Sequence, residues 1–96
     1  LRSPLPRFQD FEAQARAAGF DEVIERRWPP GAVPDTHTHA FDVDGLVTQG
    51  EMWLTHAGQT RHLRPGERFS LVRDQPHDEL YGPEGATYWV ARRHAR

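Results

Sequence analysis

Two histidines stand one residue apart in the stretch "DTHTHAFDVDG" at residues 35–45, and they are the first candidates for chemistry in this sequence. In an extended strand, side chains two residues apart leave the same face, about 6.5–7 Å from each other. His37 and His39 could therefore converge on one metal ion, with each ring nitrogen about 2.0–2.1 Å from it if the ion is zinc. Chance alone gives roughly 0.4 such pairs in a chain with this histidine content, so the pair by itself is weak evidence for a metal site.

A third histidine, His77, follows the turn "RDQPH" at the end of a predicted strand. If the strand before this turn pairs with the strand that carries His37 and His39, then His77 lies opposite them. Three imidazoles would meet at one point and leave coordination positions open for a ligand. The spacing therefore predicts a facial set of three histidines.

The chain contains no cysteine, which excludes disulfides, thiolate metal sites, iron–sulfur clusters and cysteine nucleophiles. A metal ion must therefore be held by histidine and carboxylate side chains. The net charge of −2 gives no field that would attract nucleic acid, and no helix-turn-helix pattern is visible. No stretch approaches the roughly 18 apolar residues that a membrane-spanning helix needs. We therefore expect a cytoplasmic protein that binds neither nucleic acid nor a membrane.

The beginning of the chain has the pattern of one amphipathic helix. Phe8, Phe11, Ala15 and Ala18 recur at spacings of three and four, which predicts a helix at about residues 7–18. Prolines precede this segment and a glycine follows it, as is typical of helix ends.

The rest of the chain has the pattern of short strands separated by turns. A first strand is predicted over residues 21–28. The segments THTHAF, GLVTQGEMWLTHA, QTRHLR, RFSLVR, HDELYG and ATYWVARR follow, with glycine, proline and aspartate between them. This spacing predicts an all-β sandwich or small barrel over about residues 21–93, in a single domain of residues 1–96. A core this small would be helped by a partner chain, so we expect a homodimer.

Two segments resemble the paired motifs of the cupin superfamily. HTHAFDVDGLVTQG is similar to the first motif, in which a glutamate and a closing glycine follow H-x-H. PGERFSLVRDQPH is similar to the second motif, in which a Pro-Gly turn leads through a strand to a proline-histidine pair. The two segments have the order and separation of a minimal cupin, and the resemblance covers residues 35–90. It implies the cupin double-stranded β-helix, a small jelly-roll-like barrel, with one short N-terminal helix.

The sequence departs from the cupin pattern in two places. If Gly50 is aligned with the closing glycine, the glutamate position falls on Val43, which cannot bind a metal ion. Asp74 replaces the glycine of the second motif and tolerates the same turn conformations. The resemblance then implies a divalent ion held by the three histidines alone, with zinc, iron, nickel, manganese and copper all left open. Such a site keeps the full charge of the ion and favours anionic oxygen ligands.

Three carboxylates near the motifs are candidates for a fourth ligand or for an outer partner that fixes a histidine tautomer. They are Asp42, Asp44 and Glu79. Strand alternation places Asp42 and Asp44 on the opposite face from His39.

Four large side chains are candidates for lining a ligand pocket. They are Trp53, Met52, Phe69 and Tyr88. Aromatic residues in a small β fold more often belong to the core, because each buries roughly 150–250 Å². We therefore expect only some of these side chains to touch the pocket.

Three functions are compatible with these observations, because cupins carry out diverse functions. The first is a metal-binding module that recognises a small acidic or carbonyl ligand, which the short chain favours because it leaves no room for a lid. The second is an enzyme similar to three-histidine iron(II) dioxygenases, which the missing glutamate favours. The third is a metal-free cupin that senses a ligand or regulates a partner.

Overall fold

The computed structural model of the chain describes residues 5–33 and 38–94. Within these ranges the chain forms one helix and five strands, and all the strand pairs are antiparallel. The elements are α1 (Phe8–Ala17), β1 (Glu22–Trp28), β2 (Asp42–His56), β3 (Gln59–Leu63), β4 (Arg68–Leu71) and β5 (Asp78–Arg93). None of the described helical structure is long and apolar enough to cross a bilayer.

The predicted helix is confirmed to within one residue at each end. Its apolar side is buried through Phe11 and Ala15, while Glu12 and Arg16 form an ion pair at 3.1 Å on its more exposed side. Burial of a phenylalanine side chain stabilises the fold by roughly 1.5–3 kcal/mol. The chain leaves the helix at Gly19, whose φ of 95° lies in the left-handed region that glycine adopts most easily.

Two long strands, β2 and β5, run side by side through the centre of the sheet. On its other edge β2 pairs first with β4 and then with β3. The first strand, β1, extends the sheet beyond the second half of β5. The resulting order is β1-β5-β2-β3 with β4 also beside β2, and within the described residues this sheet does not close.

The two central strands bend at bulges. The register between β2 and β5 shifts between Val47 and Gln49 and again between Gly50 and Met52. Gly50 and Gly85 have φ values of 70° and 73°, in the left-handed region. A Cβ atom at Gly50 would collide with the carbonyl oxygen of Gly85. The close approach of the two strands therefore requires glycine at this bend.

The predicted strand boundaries differ from the structure in two places. THTHAF was expected to be a strand, but its described part, residues 38–41, is irregular and bends before β2 begins. It is tied to the body of the protein by a hydrogen bond of 2.7 Å from the N–H of Asp74 to the carbonyl oxygen of His39. The turn expected at residues 82–85 lies inside β5. Here the left-handed conformation of Gly85 produces a bulge instead of a chain reversal.

The sheet separates two apolar clusters. The first lies between α1 and the outer face of the sheet and consists of Phe11, Ala15, Val23, Leu46 and Ala91. The second fills the space inside the bend of the sheet, and its least exposed members are Val47, Leu63, Met52 and Leu54. The second cluster does not fill this space completely, and the cavity that remains holds the polar groups described next.

Candidate metal centre and ligand cavity

A cavity of about 60 Å³ lies inside the bend of the sheet. That is enough room for a few water molecules or a small ligand, since one water needs about 10–15 Å³ by the same measure. Most of its wall is apolar. Five polar side chains also line it, namely Arg26, His39, His77, Glu79 and Arg92.

Three side chains, one just before β5 and two among its first alternating residues, are buried on the inner side of the sheet. His77, Glu79 and Tyr81 alternate along the chain and are 3%, 8% and 2% exposed. Alternate residues of a strand face the same side of a sheet, so these three side chains point into the fold together. Across the ladder Glu79 pairs with Leu54 and Tyr81 pairs with Met52, which places both polar groups in an apolar surrounding.

The ring of His77 is held in one orientation by the backbone. Its Nδ1 lies 3.1 Å from the carbonyl oxygen of Gln75. A carbonyl oxygen can only accept a hydrogen bond, so Nδ1 carries the proton and Nε2 is the nitrogen that can bind an ion. Nε2 lies 3.2 Å from Oε2 of Glu79.

The contact with Glu79 raises the pKa of His77 above its usual value. The hydrogen bond to this carboxylate is the largest cause, and burial of the ring acts in the opposite direction. The carboxylate of Glu79 therefore stabilises the protonated form of the imidazole more than burial destabilises it.

A chain of hydrogen bonds leads away from Glu79 through the core. The hydroxyl of Tyr81 donates to Oε1 of Glu79. The hydroxyl oxygen of Tyr88 lies 3.4 Å from that of Tyr81 and accepts a hydrogen bond of 3.0 Å from the indole N–H of Trp28. Burial raises the pKa of both tyrosines, so both stay protonated and can donate. The network therefore orients donors toward one oxygen of Glu79.

The ring of His39 enters the cavity from the irregular segment before β2. Its centre lies 5.1 Å from that of His77, and the two rings are tilted by 47°. On its other side it stacks on Phe41 at 4.7 Å. The expectation that a regular strand presents this histidine is wrong, because residues 38–41 are not in a strand. The third predicted ligand, His37, lies outside the described residues.

The described donor atoms fit a divalent metal ion in type and spacing. Two imidazoles bound to one ion through nitrogens about 2.0–2.1 Å away have ring centres roughly 4.5–5.3 Å apart, which the separation of His39 and His77 matches. The hydrogen bond from His77 to a backbone carbonyl is also the arrangement found at most ligating histidines. Among the described side chains, no group of three is already arranged to hold an ion.

No protein-family model and no curated protein sequence matches this chain. Solved structures do match it. A protein of unknown function from Rhizobium leguminosarum bv. viciae 3841 aligns with a TM-score of 0.72 at 17% identity, over 99% of this chain and 100% of that one. An RmlC-like cupin from Shewanella frigidimarina NCIMB 400 aligns with a TM-score of 0.68 at 22% identity, over 77% of this chain. The fold is that of a small cupin.

An oxalate oxidase shares the same fold, with a TM-score of 0.65 at 24% identity over 73% of this chain. The cupin described here spans 66% of the Shewanella chain and 40% of the oxalate oxidase chain. These matches confirm the predicted cupin β-barrel fold with its short N-terminal helix. Identities this low establish a fold and leave the activity to be argued from the site.

Two of the three candidate carboxylates lie away from the cavity of the cupin. Asp42 accepts a hydrogen bond of 2.8 Å from the backbone N–H of Arg73, and this contact is the main reason why the pKa of Asp42 is lowered. Asp44 lies 3.4 Å from the hydroxyl of Ser70 and 3.8 Å from Arg68. Glu79 is the candidate that the structure places beside His77.

Three of the four candidate pocket residues line the cavity of the cupin: Met52, Phe69 and Tyr88. Trp53 follows Met52 on the same strand and therefore faces the other way. Its ring stacks on His62 with centres 4.5 Å apart, on the outer side of the sheet.

Sequence reasoning missed Arg26 and Arg92 as pocket residues. Both lie on the inward faces of their strands, where Arg26 pairs with Tyr88 and Arg92 pairs with Glu22 across the β1–β5 ladder. Alternation in "EVIERRW" and "ATYWVARR" was the available signal, since each arginine shares its face with an apolar or aromatic residue two positions earlier or later. Nε of Arg92 is buried and has no hydrogen-bond partner among the described residues.

Proposed function

We propose that this chain is a metal-binding cupin that holds a divalent ion with His37, His39 and His77 and binds a small acidic or carbonyl ligand beside it. The observation that carries the proposal is the orientation of His77. Its Nδ1 is bound to the carbonyl oxygen of Gln75, so Nε2 is left as the nitrogen that can bind an ion, and this ring lines the cavity beside the ring of His39.

The charges of the cavity wall support an acidic ligand. Two guanidinium groups, on Arg26 and Arg92, line the cavity opposite a single carboxylate, that of Glu79. The buried Nε of Arg92 lacks a hydrogen-bond partner in the described part of the chain, and a buried donor in that state is costly. A carboxylate ligand would satisfy it. The oxalate oxidase with this fold is named for a small dicarboxylate, which agrees with a ligand of this class.

Different residues of the cavity would have different roles in ligand binding. Arg26 and Arg92 would orient the anionic end of a ligand through charge-assisted hydrogen bonds. The apolar wall around Met52 and Phe69 would exclude water and strengthen those interactions. A bound divalent ion supplies Lewis acidity toward an oxygen atom of the ligand. With Nε2 of His77 bound to the ion, the carboxylate of Glu79, 3.2 Å from that nitrogen, would accept a hydrogen bond from a protonated oxygen atom of the ligand.

A dioxygenase-like enzyme is the second candidate, and the position of Val43 favours it. Val43 occupies the place where the cupin motif has a glutamate, and its side chain lines the cavity without offering an oxygen atom. Three imidazoles and open positions are a ligand set that suits iron(II) and oxygen. Oxygen consumption by the iron-loaded protein, measured with small diketones, thiols and catechol-like compounds, tests this activity. No consumption across the panel would contradict it.

Metal uptake by untagged protein tests the main proposal directly. We expect equilibrium dialysis at pH 7.5, followed by elemental analysis, to give one divalent ion per chain. The variant His77→Ala should lose most of this uptake. His62→Ala is the matched control, because His62 also contacts a glutamate, Glu51, at 2.6 Å but lies on the outer side of the sheet. Protein that takes up no divalent ion would contradict the proposal and favour a metal-free cupin that senses a ligand.

A further inference from the structure

The carboxylate of Glu79 lies 3.2 Å from Nε2 of His77, although the cupin motif puts its glutamate elsewhere. We propose that Glu79, on β5, supplies the acidic ligand that Val43 cannot, and that Tyr81 is the residue that positions it. This inference rests on the proposed metal site and names a fourth protein ligand for it. It assigns to β5, two residues beyond the second motif, the acidic ligand that the first motif lacks.

The separation of two donor atoms supports direct coordination. Oε2 of Glu79 and Nε2 of His77 are 3.2 Å apart. Two neighbouring ligand atoms that each lie about 2.0–2.1 Å from one ion are roughly 2.9–3.4 Å apart, depending on the geometry. Both atoms could therefore bind the same ion without a change in their separation.

The hydrogen bonds of Glu79 also favour one oxygen as the ligand. Its Oε1 accepts the hydroxyl proton of Tyr81, so Oε2 is the oxygen that faces His77. Behind Tyr81 the network continues through Tyr88 to the indole of Trp28, and the ring of Trp28 stacks on Tyr81 with centres 5.3 Å apart. Ligating carboxylates are commonly held by such outer hydrogen bonds. Tyr81 therefore fixes the rotation of the Glu79 carboxylate about the Cγ–Cδ bond.

The carboxylate of Glu79 needs a positively charged group close to it because it is buried. Glu79 is 8% exposed and pairs across the ladder with Leu54, whose side chain is 1% exposed. An ionised carboxylate in such a place is strongly unfavourable unless a positive charge lies beside it. A divalent ion bound by Nε2 of His77, 3.2 Å from Oε2 of Glu79, would supply that charge.

Val43 and Glu79 reach the same cavity from different strands. Val43 lies in the first half of β2, where it pairs with Leu71 and Arg92. Glu79 lies at the start of β5, beside the second half of β2. Both side chains line the cavity, so the carboxylate that Val43 lacks on one wall is supplied by Glu79 on another.

Cobalt(II) binding to the full chain tests the inference, because its visible absorption spectrum reports the ligand set as well as the affinity. We expect Glu79→Gln to weaken cobalt binding by about 100-fold or more and to change the spectrum, and Tyr81→Phe to weaken binding by about 10-fold. Glu79→Asp keeps the charge and should fall between the wild type and Glu79→Gln. The matched control is Glu51→Gln, which removes a carboxylate from another histidine–glutamate contact, that with His62, and should bind cobalt as the wild type does.

The outcomes separate this inference from the proposed function. Wild-type protein that binds no cobalt contradicts the metal site itself. If the wild type binds cobalt, His77→Ala abolishes binding and Glu79→Gln keeps the wild-type affinity and spectrum, only the assignment of Glu79 is overturned. A loss of affinity with an unchanged spectrum also overturns it, because Glu79 would then act from outside the coordination sphere. If Glu79→Gln does not fold by circular dichroism, Glu79→Asp decides the question, and an unchanged spectrum in that variant overturns the assignment.

Discussion

His77 donates a hydrogen bond from Nδ1 to the backbone carbonyl of Gln75, two residues earlier in the chain, over 3.1 Å. The turn that delivers the histidine to the cavity thus also selects its tautomer. Because the partner is a main-chain atom, this orientation does not depend on a second side chain. Nε2, the nitrogen proposed to bind the ion, is therefore positioned by the local path of the backbone before β5 begins.

The pH dependence of metal affinity follows from the state of His77. An ion can bind only the neutral imidazole, and the contact with Glu79 raises the pKa of this histidine. The proton therefore competes with the ion up to a higher pH than at an ordinary histidine, whose pKa is about 6.5. We expect affinity, measured by titration with zinc or cobalt, to rise steeply from about pH 6 to pH 8. A profile that stays flat from about pH 8 to pH 5 would show that histidines are not the ligands.

Recognition of an acidic ligand depends on the two arginines in the cavity wall. We expect Arg26→Met and Arg92→Met each to weaken the binding of oxalate to the metal-loaded protein by about 10–100-fold, as the loss of one charge-assisted hydrogen bond predicts. Isothermal titration calorimetry measures the change. Arg27→Met is the matched control, because Arg27 follows Arg26 on β1 and its side chain is 77% exposed. Equal effects in Arg26→Met and Arg27→Met would indicate a general charge effect and contradict specific recognition.

The bend between β2 and β5 depends on Gly50. We expect Gly50→Ala to lower the free energy of unfolding by at least about 3 kcal/mol, because it adds a collision with the backbone at Gly85 to an unfavourable φ. Gly58→Ala is the control. Gly58 has a φ of 76° in a hairpin turn, and a Cβ atom there would meet nothing within 4 Å, so its cost should be about 1–2 kcal/mol. Urea denaturation measures both, and equal losses would show that close approach of the strands plays no part.

The sequence predicted most of the fold because its elements depend on local signals. Helix α1 follows from the spacing of Phe8, Phe11 and Ala15, and the paired motifs indicate the cupin fold from the sequence alone. The boundaries at residues 38–41 and 82–85 were wrong, since bulges and bends result from contacts between strands that are distant in the sequence. Strand patterns alone do not specify those contacts.

The candidate site was predictable in its residue types more than in its geometry. His77 and Glu79 were singled out from the sequence, and their contact at 3.2 Å results from simple alternation along β5. Arg92 was missed because a charged side chain at a strand end usually lies in solvent, although its alternation with Val90 marked it as inward. Its place in the cavity wall shows the inward position directly.

Alternation along the central strands has an evolutionary consequence. Every second residue of β2 and β5 faces the same interior. A metal-binding side chain could therefore reach the same point in that interior from several positions on neighbouring strands. A sequence motif defined on a single segment would then lack its acidic residue, although an acidic residue on another strand still reaches the interior. Comparisons between proteins of this fold would gain from aligning the atoms that face the interior in place of positions along the chain.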